Sequence, residues 1–384
     1  MFAMESVKQT FNGSVGFGNR VQCQIARNGD LLSKMVLEVS LPGLNDITGN
    51  ISYVNDVGYH LLKEVELEIG GISIVKHYGR WMHIWQELTR PAEKDSNHDK
   101  MIGNRTDVTT AVSGALPAPG KLYVPLQFWF CNNYALAFPL IACQYHEVKV
   151  NITFASLSEV ARSNSANAPT ASGALSADLY VDYVFLDNDE RRKFATSAHE
   201  YLIEQLQYPS SESHGDPTSA FTRRLDGFNH PVKEIVFALQ CTERLSDVDQ
   251  TNFGEIASRQ PSDFGLSAAA DAAGTLQTIS DAKLILNGND RFSSRDGNYF
   301  NWVQPYFHHT RGPSTGIYVY SFATEPEKHQ PTGTCNFSRI DTAQLQLTPN
   351  TATAYGTGWV SHVYMVNYNV LRLVSGMAGL SFAA

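Results

Sequence analysis

At roughly 150 residues per domain, the 384-residue chain is long enough for two or three domains, and its 43% hydrophobic and 11% aromatic content supplies ample material for a core. No uninterrupted apolar stretch approaches the roughly 18 residues of a membrane span, and the start from Met1 to Lys8 lacks the basic and long apolar regions of a secretory signal, so a soluble protein of cytosolic origin is expected. Lys and Arg number 29 against 38 Asp and Glu, a net charge of -9 with no basic run, which disfavours extensive direct nucleic-acid binding because neutralising phosphate needs clustered cations.

The dominant local pattern is strand alternation, beginning with Val21 to Ala26 and Lys34 to Leu41. Val65-Glu66-Leu67-Glu68-Ile69 sets three aliphatics on one face and two carboxylates on the other. Gly70-Gly71 then separates it from Ile72 to Lys76, as in a hairpin. A helix is predicted over Arg80 to Arg90, where Trp81, Ile84, Trp85 and Leu88 fall at i, i+3, i+4 and i+7 and Pro91 stops it. Strands follow at Leu122 to Phe130, Glu147 to Phe154 and Asp178 to Leu186, with a surface loop expected over Ser156 to Ala177. Beyond the charged segment Asn188 to Lys193 come Glu234 to Gln240, a second expected loop from Arg244 to Ser280, then Ala282 to Leu286, Ile317 to Phe322, Ala343 to Thr348 and His362 to Val374. Short strands with loops rich in Gly, Pro, Asn and Ser predict an all-β sandwich or barrel class.

The halves repeat one another at a spacing of roughly 185 to 220 residues, far beyond a solenoid period. Leu32 to Val39 parallels Pro231 to Ala238, and Val65 to Gly71 parallels Ala282 to Gly288. The amphipathic segment recurs with Tyr299, Trp302, Val303 and Tyr306 at the same spacing as Trp81, Ile84, Trp85 and Leu88. Lys121 to Val124 parallels Gly316 to Val319, Glu147 to Phe154 parallels Thr342 to Pro349, and Leu179 to Val184 parallels Val363 to Tyr368. Six matches in one order imply two copies of one domain: 1–190, a linker at 191–199, and 200–384.

Motifs for catalysis are not found. His83 and Glu87 would share a helix face as metal ligands can, but neither HExxH nor the HxH pair of cupins is present, and His packing or hydrogen bonding is the favoured reading. There is no GxSxG elbow, and the glycines at Gly16, Gly18, Gly114 and Gly120 fit neither phosphate-loop pattern. Glu66 and Glu68 read as a solvated face. The sequons at Asn12, Asn50, Asn104, Asn151 and Asn336 read as coincidental, and Asn151 falls inside a strand. Five cysteines, Cys23, Cys131, Cys143, Cys241 and Cys335, are odd in number with no CxxC pair, so buried free thiols are expected rather than disulfides or zinc. No metal or cofactor is expected.

Four strings carry a family resemblance. The first runs from Val57-Gly58-Tyr59-His60 to Leu67, continuing through Ile69-Gly70-Gly71 to His77-Tyr78-Gly79; the second is Val124-Pro125-Leu126-Gln127-Phe128-Trp129-Phe130 with Phe138-Pro139-Leu140 and Tyr145-His146-Glu147-Val148. The third is Tyr201 to Gln205, and the fourth Tyr320-Ser321-Phe322 with Pro331 to Asp341. In these the chain resembles the major capsid proteins of nucleocytoplasmic large DNA viruses, virophages and polinton-like viruses. The resemblance implies a double jelly roll: two tandem eight-stranded antiparallel sandwiches with a few short helices. It further implies a non-enzymatic capsid component that trimerises into pseudo-hexagonal capsomers tiling an icosahedral shell through heterologous contacts. Minor capsid and penton proteins are the implied neighbours, with an internal membrane beneath the shell and assembly in the host cytoplasm or a viral factory.

On this resemblance the motif residues have structural roles. Gly70 and Gly71 would permit backbone angles closed to other residues at a tight turn, so Gly71→Val is expected to abolish the soluble trimer; Gly58 and Gly79 belong to the same motif. Pro125 and Pro139 would sit at strand edges or bulges. Trp81, Trp85, Trp129 and Trp302 would supply large buried areas, with His77, Tyr78, Leu126, Phe128, Phe130, Leu140, Phe337 and Arg339 completing the motifs. Asn336, Ser338 and Asp341 would hold loop backbone through side-chain hydrogen bonds. A jelly-roll carbohydrate-binding protein, and more remotely a cupin-like metalloenzyme, are the alternatives.

Overall fold

A computed structural model of the chain describes residues 2–163, 169–215, 219–241, 277–350 and 358–382. It divides into two compact units: one of Met1–Met82, Ser96–Gln205 and Asn369–Ala384, the other of His83–Asp95 and Leu206–Tyr368.

In the first half of the chain the strands are β1 (Phe2–Gln9), β2 (Arg20–Gln24), β3 (Leu31–Ser40), β4 (Leu44–Tyr53), β5 (Leu62–Ile69), β6 (Ile72–His77), β7 (Val112–Leu116), β8 (Lys121–Pro125), β9 (Phe138–Pro139), β10 (Val148–Phe154), β11 (Ala161–Ser163), β12 (Thr170–Ala171) and β13 (Ser176–Leu186). They form sheets in the orders β1-β13-β3-β8 and β2-β10-β5-β6, with a small third sheet, β11-β4-β12. The second half supplies β14 (His199–Gln207), β15 (Glu212–His214), β16 (Phe221–Arg224), β17 (Pro231–Cys241), β18 (Ile279–Leu286), β19 (Asn289–Asp290), β20 (Arg295–Asp296), β21 (Ile317–Ser321), β22 (Cys335–Asn336), β23 (Ala343–Pro349), β24 (Trp359–Val374) and β25 (Met377–Leu380). Their orders, β14-β24-β17-β21 and β16-β23-β18-β19, repeat the first two sheets strand for strand. The fold is all-β, two tandem jelly rolls with antiparallel sheets.

Register tests the repeat residue by residue. Val150 lies opposite Leu67, and Leu345 opposite Leu284, as the sequence alignment requires. On β3 and β17 the two sides of the strand differ. Against β8 and β21 the alignment holds, Leu37 pairing with Val124 and Val236 with Val319. Against β13 and β24 it is corrected by one position, since Leu37 pairs with Leu179 and Phe237, not Val236, with Val363; Phe237, Val363 and Tyr318 form the matching core. β3 is buried on both faces for much of its length, so its alternation is weak, and a one-residue slip exchanges the two faces of a strand. Both copies also share a register shift near the start of the equivalent strands, at Ser33 and Lys34 of β3, opposite Val181 to Tyr183 of β13, and between Val232 and Glu234 of β17.

Three local expectations are corrected. The extended run over Leu122 to Phe130 breaks after Pro125 into a short helix, Trp129–Asn132. A strand would send alternate side chains outward, whereas the turn buries Phe128, Trp129 and Phe130 together. The expected loop Ser156 to Ala177 contains the helix Leu157–Val160, opened by a Ser156/Glu159 capping box; Val160, Ala161, Leu175 and Ala177 lie in the core. Residues 244–276 of the second expected loop lie outside the described residues, and its end is buried from Gln277 onward and enters β18. The edge strand β1 carries no sequence signal: it is exposed along most of its length and owes its form to pairing with β13.

Each unit has its own core. In unit 1 it includes Leu37, Leu67, Val124, Val150, Leu179 and, from the chain's end, Leu371 and Leu373. In unit 2 it includes Phe237, Leu284, Tyr318, Leu345, Val363 and Met365.

Candidate functional site

The glycines of the first motif are demanded by space and by φ. At Gly79, where the helix α1 (Gly79–Thr89) begins, a Cβ would lie 2.0 Å from the Tyr59 carbonyl oxygen and 2.5 Å from that of Leu62. At Gly58 it would meet a Val124 methyl at 2.9 Å and the Ile102 backbone at 3.0 Å. Gly70 and Gly71 link β5 to β6 with φ of +60° and +85°, and a Cβ on Gly70 would also lie 2.4 Å from the His146 ring while Gly71 faces open space. Gly70 is therefore the stricter position. Gly71→Val is expected to cost about 1–2 kcal/mol, the left-handed penalty alone, Gly71→Asn less than that, and Gly70→Val several-fold more than Gly71→Val. Urea unfolding of the three variants checks the order, and equal losses at the two glycines would refute it.

His77 ends β6 buried, with its ring stacked on Phe128 at 5.5 Å, and burial pushes its imidazole down to about 4. It is a neutral packing group. Tyr78 gives its carbonyl to the Met82 N–H, and Trp81 is buried. Pro125 and Pro139 lie opposite Val36 and Leu31 in β8 and β9, the edge strands beside β3, where proline is tolerated. The Leu126 N–H is bonded to the Met35 carbonyl, Trp129 meets Phe130 edge-on at 5.2 Å, and Leu140 is buried.

In unit 2, Asn336 Oδ1 accepts from the Ser338 N–H and Ser338 Oγ from the His230 N–H, which fixes the turn Phe337–Arg339. Phe337 enters the core while Arg339 is exposed. Asp341 does not play the part expected of its side chain: its backbone N–H and that of Thr342 both donate to Asn287 Oδ1, so Asn287 holds this corner.

The polar face of β5 is also more ordered than a solvated strand. The Glu66 side chain is 9% exposed, 2.8 Å from Arg20 and 3.5 Å from Lys76. Burial pushes its carboxyl up, but hydrogen bonds from Ser73 and Asn151 and the charges of Lys76 and Arg20 outweigh it and hold it below the usual range. Asn151, one of the sequons, is buried and donates to both Glu66 and Glu68. Cys23, Cys131, Cys143 and Cys335 are free, with burial raising the Cys23 and Cys131 thiols to about 11 and 12.

Sequence reasoning missed a buried ionic cluster in unit 2. Lys233 and Glu234 of β17 are both fully buried. The Lys233 ammonium donates to the Pro326 carbonyl at 2.6 Å and lies 5.6 Å from the Trp85 ring centroid. Glu234 is 3.1 Å from Nε2 of His309, whose Nδ1 is 3.0 Å from Glu327. Burial pushes His309 down, but its contacts with the two carboxylates and their charges win and raise it to about 9. The available signal was a charged pair inside an apolar run, Val232-Lys233-Glu234-Ile235. Of the pair considered for metal, Glu87 accepts from the Ser314 N–H at 3.3 Å.

The second amphipathic segment reverses expectation. It forms a π-helical turn, Tyr299–Val303, running into the helix α2 (Gln304–His308). Phe300, Asn301, Gln304 and Pro305 are buried, whereas Trp302 is 53% exposed, Tyr306 79% and Phe307 70%. The expected buried area of Trp302 is not present in the single chain.

The chain matches two family models: the major capsid protein N-terminus over residues 1–187 and the large eukaryotic DNA virus major capsid protein over residues 190–379. It is 42% identical to the major capsid protein of Pyramimonas orientalis virus, covering 100% of this chain and 91% of the relative. It is 39% identical to that of Paramecium bursaria Chlorella virus 1, covering 100% and 92%. The PBCV-1 virus capsid structure superposes with a TM-score of 0.81 at 38% identity, over 100% of this chain and 97% of that one. The Faustovirus major capsid protein, at 12% identity, shares the fold with a TM-score of 0.77. Duplicated sheets, space-limited glycines and these likenesses agree: the chain belongs to the large eukaryotic DNA virus major capsid proteins, structural components of the capsid shell and not enzymes.

Proposed function

We propose that three copies of the chain close head to tail into a pseudo-hexagonal capsomer that tiles the icosahedral shell of a double-stranded DNA virus. The observation that carries this reading is the repetition of both sheet orders within one chain. Two alike sandwiches per chain turn a threefold ring into six similar lobes, which fits a site with six neighbours, and a ring of this kind is built from heterologous contacts. The family models, which abut between residues 187 and 190, support a division of the chain just before the linker read at 191–199. The motif glycines, prolines and aromatics serve the fold that presents these lobes. Neighbouring capsomers, minor capsid proteins and penton proteins are the partners, above an internal membrane, after assembly in the host cytoplasm or a viral factory. The net charge of -9 supports a shell that does not itself wrap DNA.

Light scattering of the purified protein is expected to give about 127 kDa, three times the 42.5 kDa chain, with a six-lobed outline in negative stain. A stable monomer at micromolar concentration, unchanged by salt, would overturn the reading.

A further inference from the structure

The internal repeat sets α1 beside the segment Tyr299–His308, and the cores confirm the alignment: Met82 lies in the core of unit 1 and Phe300 in the core of unit 2. On that alignment Ile84 corresponds to Trp302, Trp85 to Val303 and Leu88 to Tyr306. Their surroundings differ. Although α1 follows β6, its residues from His83 onward belong to unit 2, whose other residues come from the second half of the chain. There Ile84 and Leu88 are fully buried, the Leu88 carbonyl accepts from the Arg311 N–H, and Trp85 meets the His309 ring edge-on at 6.5 Å. The equivalent Trp302 and Tyr306 are uncovered.

We propose that the aromatic face of Trp302, Val303, Tyr306 and Phe307 seats on unit 1 of a second copy of this chain, repeating between copies what His83–Asp95 does within unit 2. The proposal rests on the head-to-tail ring proposed above and names its contact. Trp302 and Tyr306, and Val303 and Phe307, are four residues apart and so share a side of the helical segment, and the Tyr306 and Phe307 rings touch at 5.1 Å. At the ~150–250 Å² that one aromatic side chain buries, their exposed parts make a patch of roughly 400–500 Å². That is the size of the largest functional patches on monomers and about half of one partner's share of a stable interface.

The repeat also names the seat. Within unit 2 the Trp85 ring lies beside the Lys233 ammonium at the register shift of β17. The same shift in β3 falls at Ser33, in the place of Lys233, and Lys34, in the place of Glu234; Lys34 is exposed and its ammonium stands 4.7 Å from the ring of Tyr134, itself 58% exposed. A lysine over a ring, with room for further rings, suits an aromatic partner through cation–π contact.

The test compares the native mass of the full chain with that of the double variant Tyr306→Asp/Phe307→Asp, whose rings are exposed in the single chain. The expected result is about 127 kDa for the parent and 42.5 kDa for the variant, with unchanged far-ultraviolet circular dichroism. Trimer dissociation should rise on the order of 1,000-fold, as for two interface anchors. A variant that stays trimeric overturns this contact and leaves the capsomer reading intact, whereas a monomeric parent overturns the capsomer reading itself. Should the variant be insoluble, hydroxyl-radical labelling of the parent trimer decides: protected Trp302, Tyr306, Phe307 and Tyr134 support the contact, and oxidation of these rings at the rate of free side chains overturns it.

Discussion

A chain truncated after Tyr368 is expected to leave unit 1 unfolded, although the deletion removes nothing from its first thirteen strands. The deleted segment, Asn369–Ala384, is part of that unit. Leu371 and Leu373 are fully buried in its core and Ala378 is 4% exposed. The segment is also tied in by polar contacts: Ala378 N–H reaches His146 Nδ1 at 3.2 Å, the Gly376 carbonyl accepts from the Tyr145 N–H, and Asn369 donates to Gln205 at 2.9 Å. Losing one buried leucine costs about 2–5 kcal/mol, so losing two consumes most of the ~5–15 kcal/mol that holds a domain. Residues 1–190 expressed alone should be insoluble for the same reason. The single substitution Leu371→Ala is the graded version, with an expected loss of about 2–5 kcal/mol in urea unfolding. A truncated protein that resists proteolysis as the full chain does would refute the role assigned to this segment.

Stability is expected to fall as pH rises from about 6.5 to about 9, through the titration of His309. Its side chain is fully buried between Glu234 and Glu327, and its folded value of about 9 stands above the ordinary 6.5. A raised value means that the folded state holds the proton more tightly than the unfolded one. The stabilisation is therefore complete below about 6.5 and is lost as pH passes through 9, by about 3 kcal/mol at 1.36 kcal/mol per pH unit. At the acid end the sign reverses. Burial pushes the Glu327 carboxyl up, but bonds from His309 and Thr310 and the His309 charge hold it below 4.5, so its share is present above 4.5 and lost as pH falls through its depressed value. His309→Leu should cost about 3–5 kcal/mol at pH 7, because Glu234 keeps its burial and loses a counter-charge, and should flatten the profile between pH 7 and 9. Thermal unfolding at pH 6, 7.5 and 9.5 measures both effects, and a parent profile flat across this range would refute the assignment.

What could be read from the chain alone was local. Alternation at Val65 to Ile69, the glycines at the β5–β6 turn and the repeated order of six segments depend on neighbours within a few residues or on duplication, and both leave marks in composition. The glycine requirements were legible as residue types, but the ranking of Gly79 and Gly70 above Gly71 was not. It depends on the Tyr59 and Leu62 carbonyls and the His146 ring, which only the tertiary structure brings close. The corner at Asp341 was assigned to the wrong side chain because Asn287, over fifty positions earlier, supplies the acceptor.

The sequence by itself determined the class of fold, its duplication and its family, because side-chain period, turn residues and conserved order are written along the chain. Tertiary structure alone decided the register of β3 and β17, which are buried on both faces for much of their length and so carry little alternation to align. It decided the pairing of Glu234 with His309, since a buried charge is tolerable only where a distant partner meets it. It also decided that Ile84 and Leu88 are covered while Trp302 and Tyr306, at the same spacing, are not. Periodicity marks an apolar stripe, but what covers that stripe is a property of the surfaces packed against it.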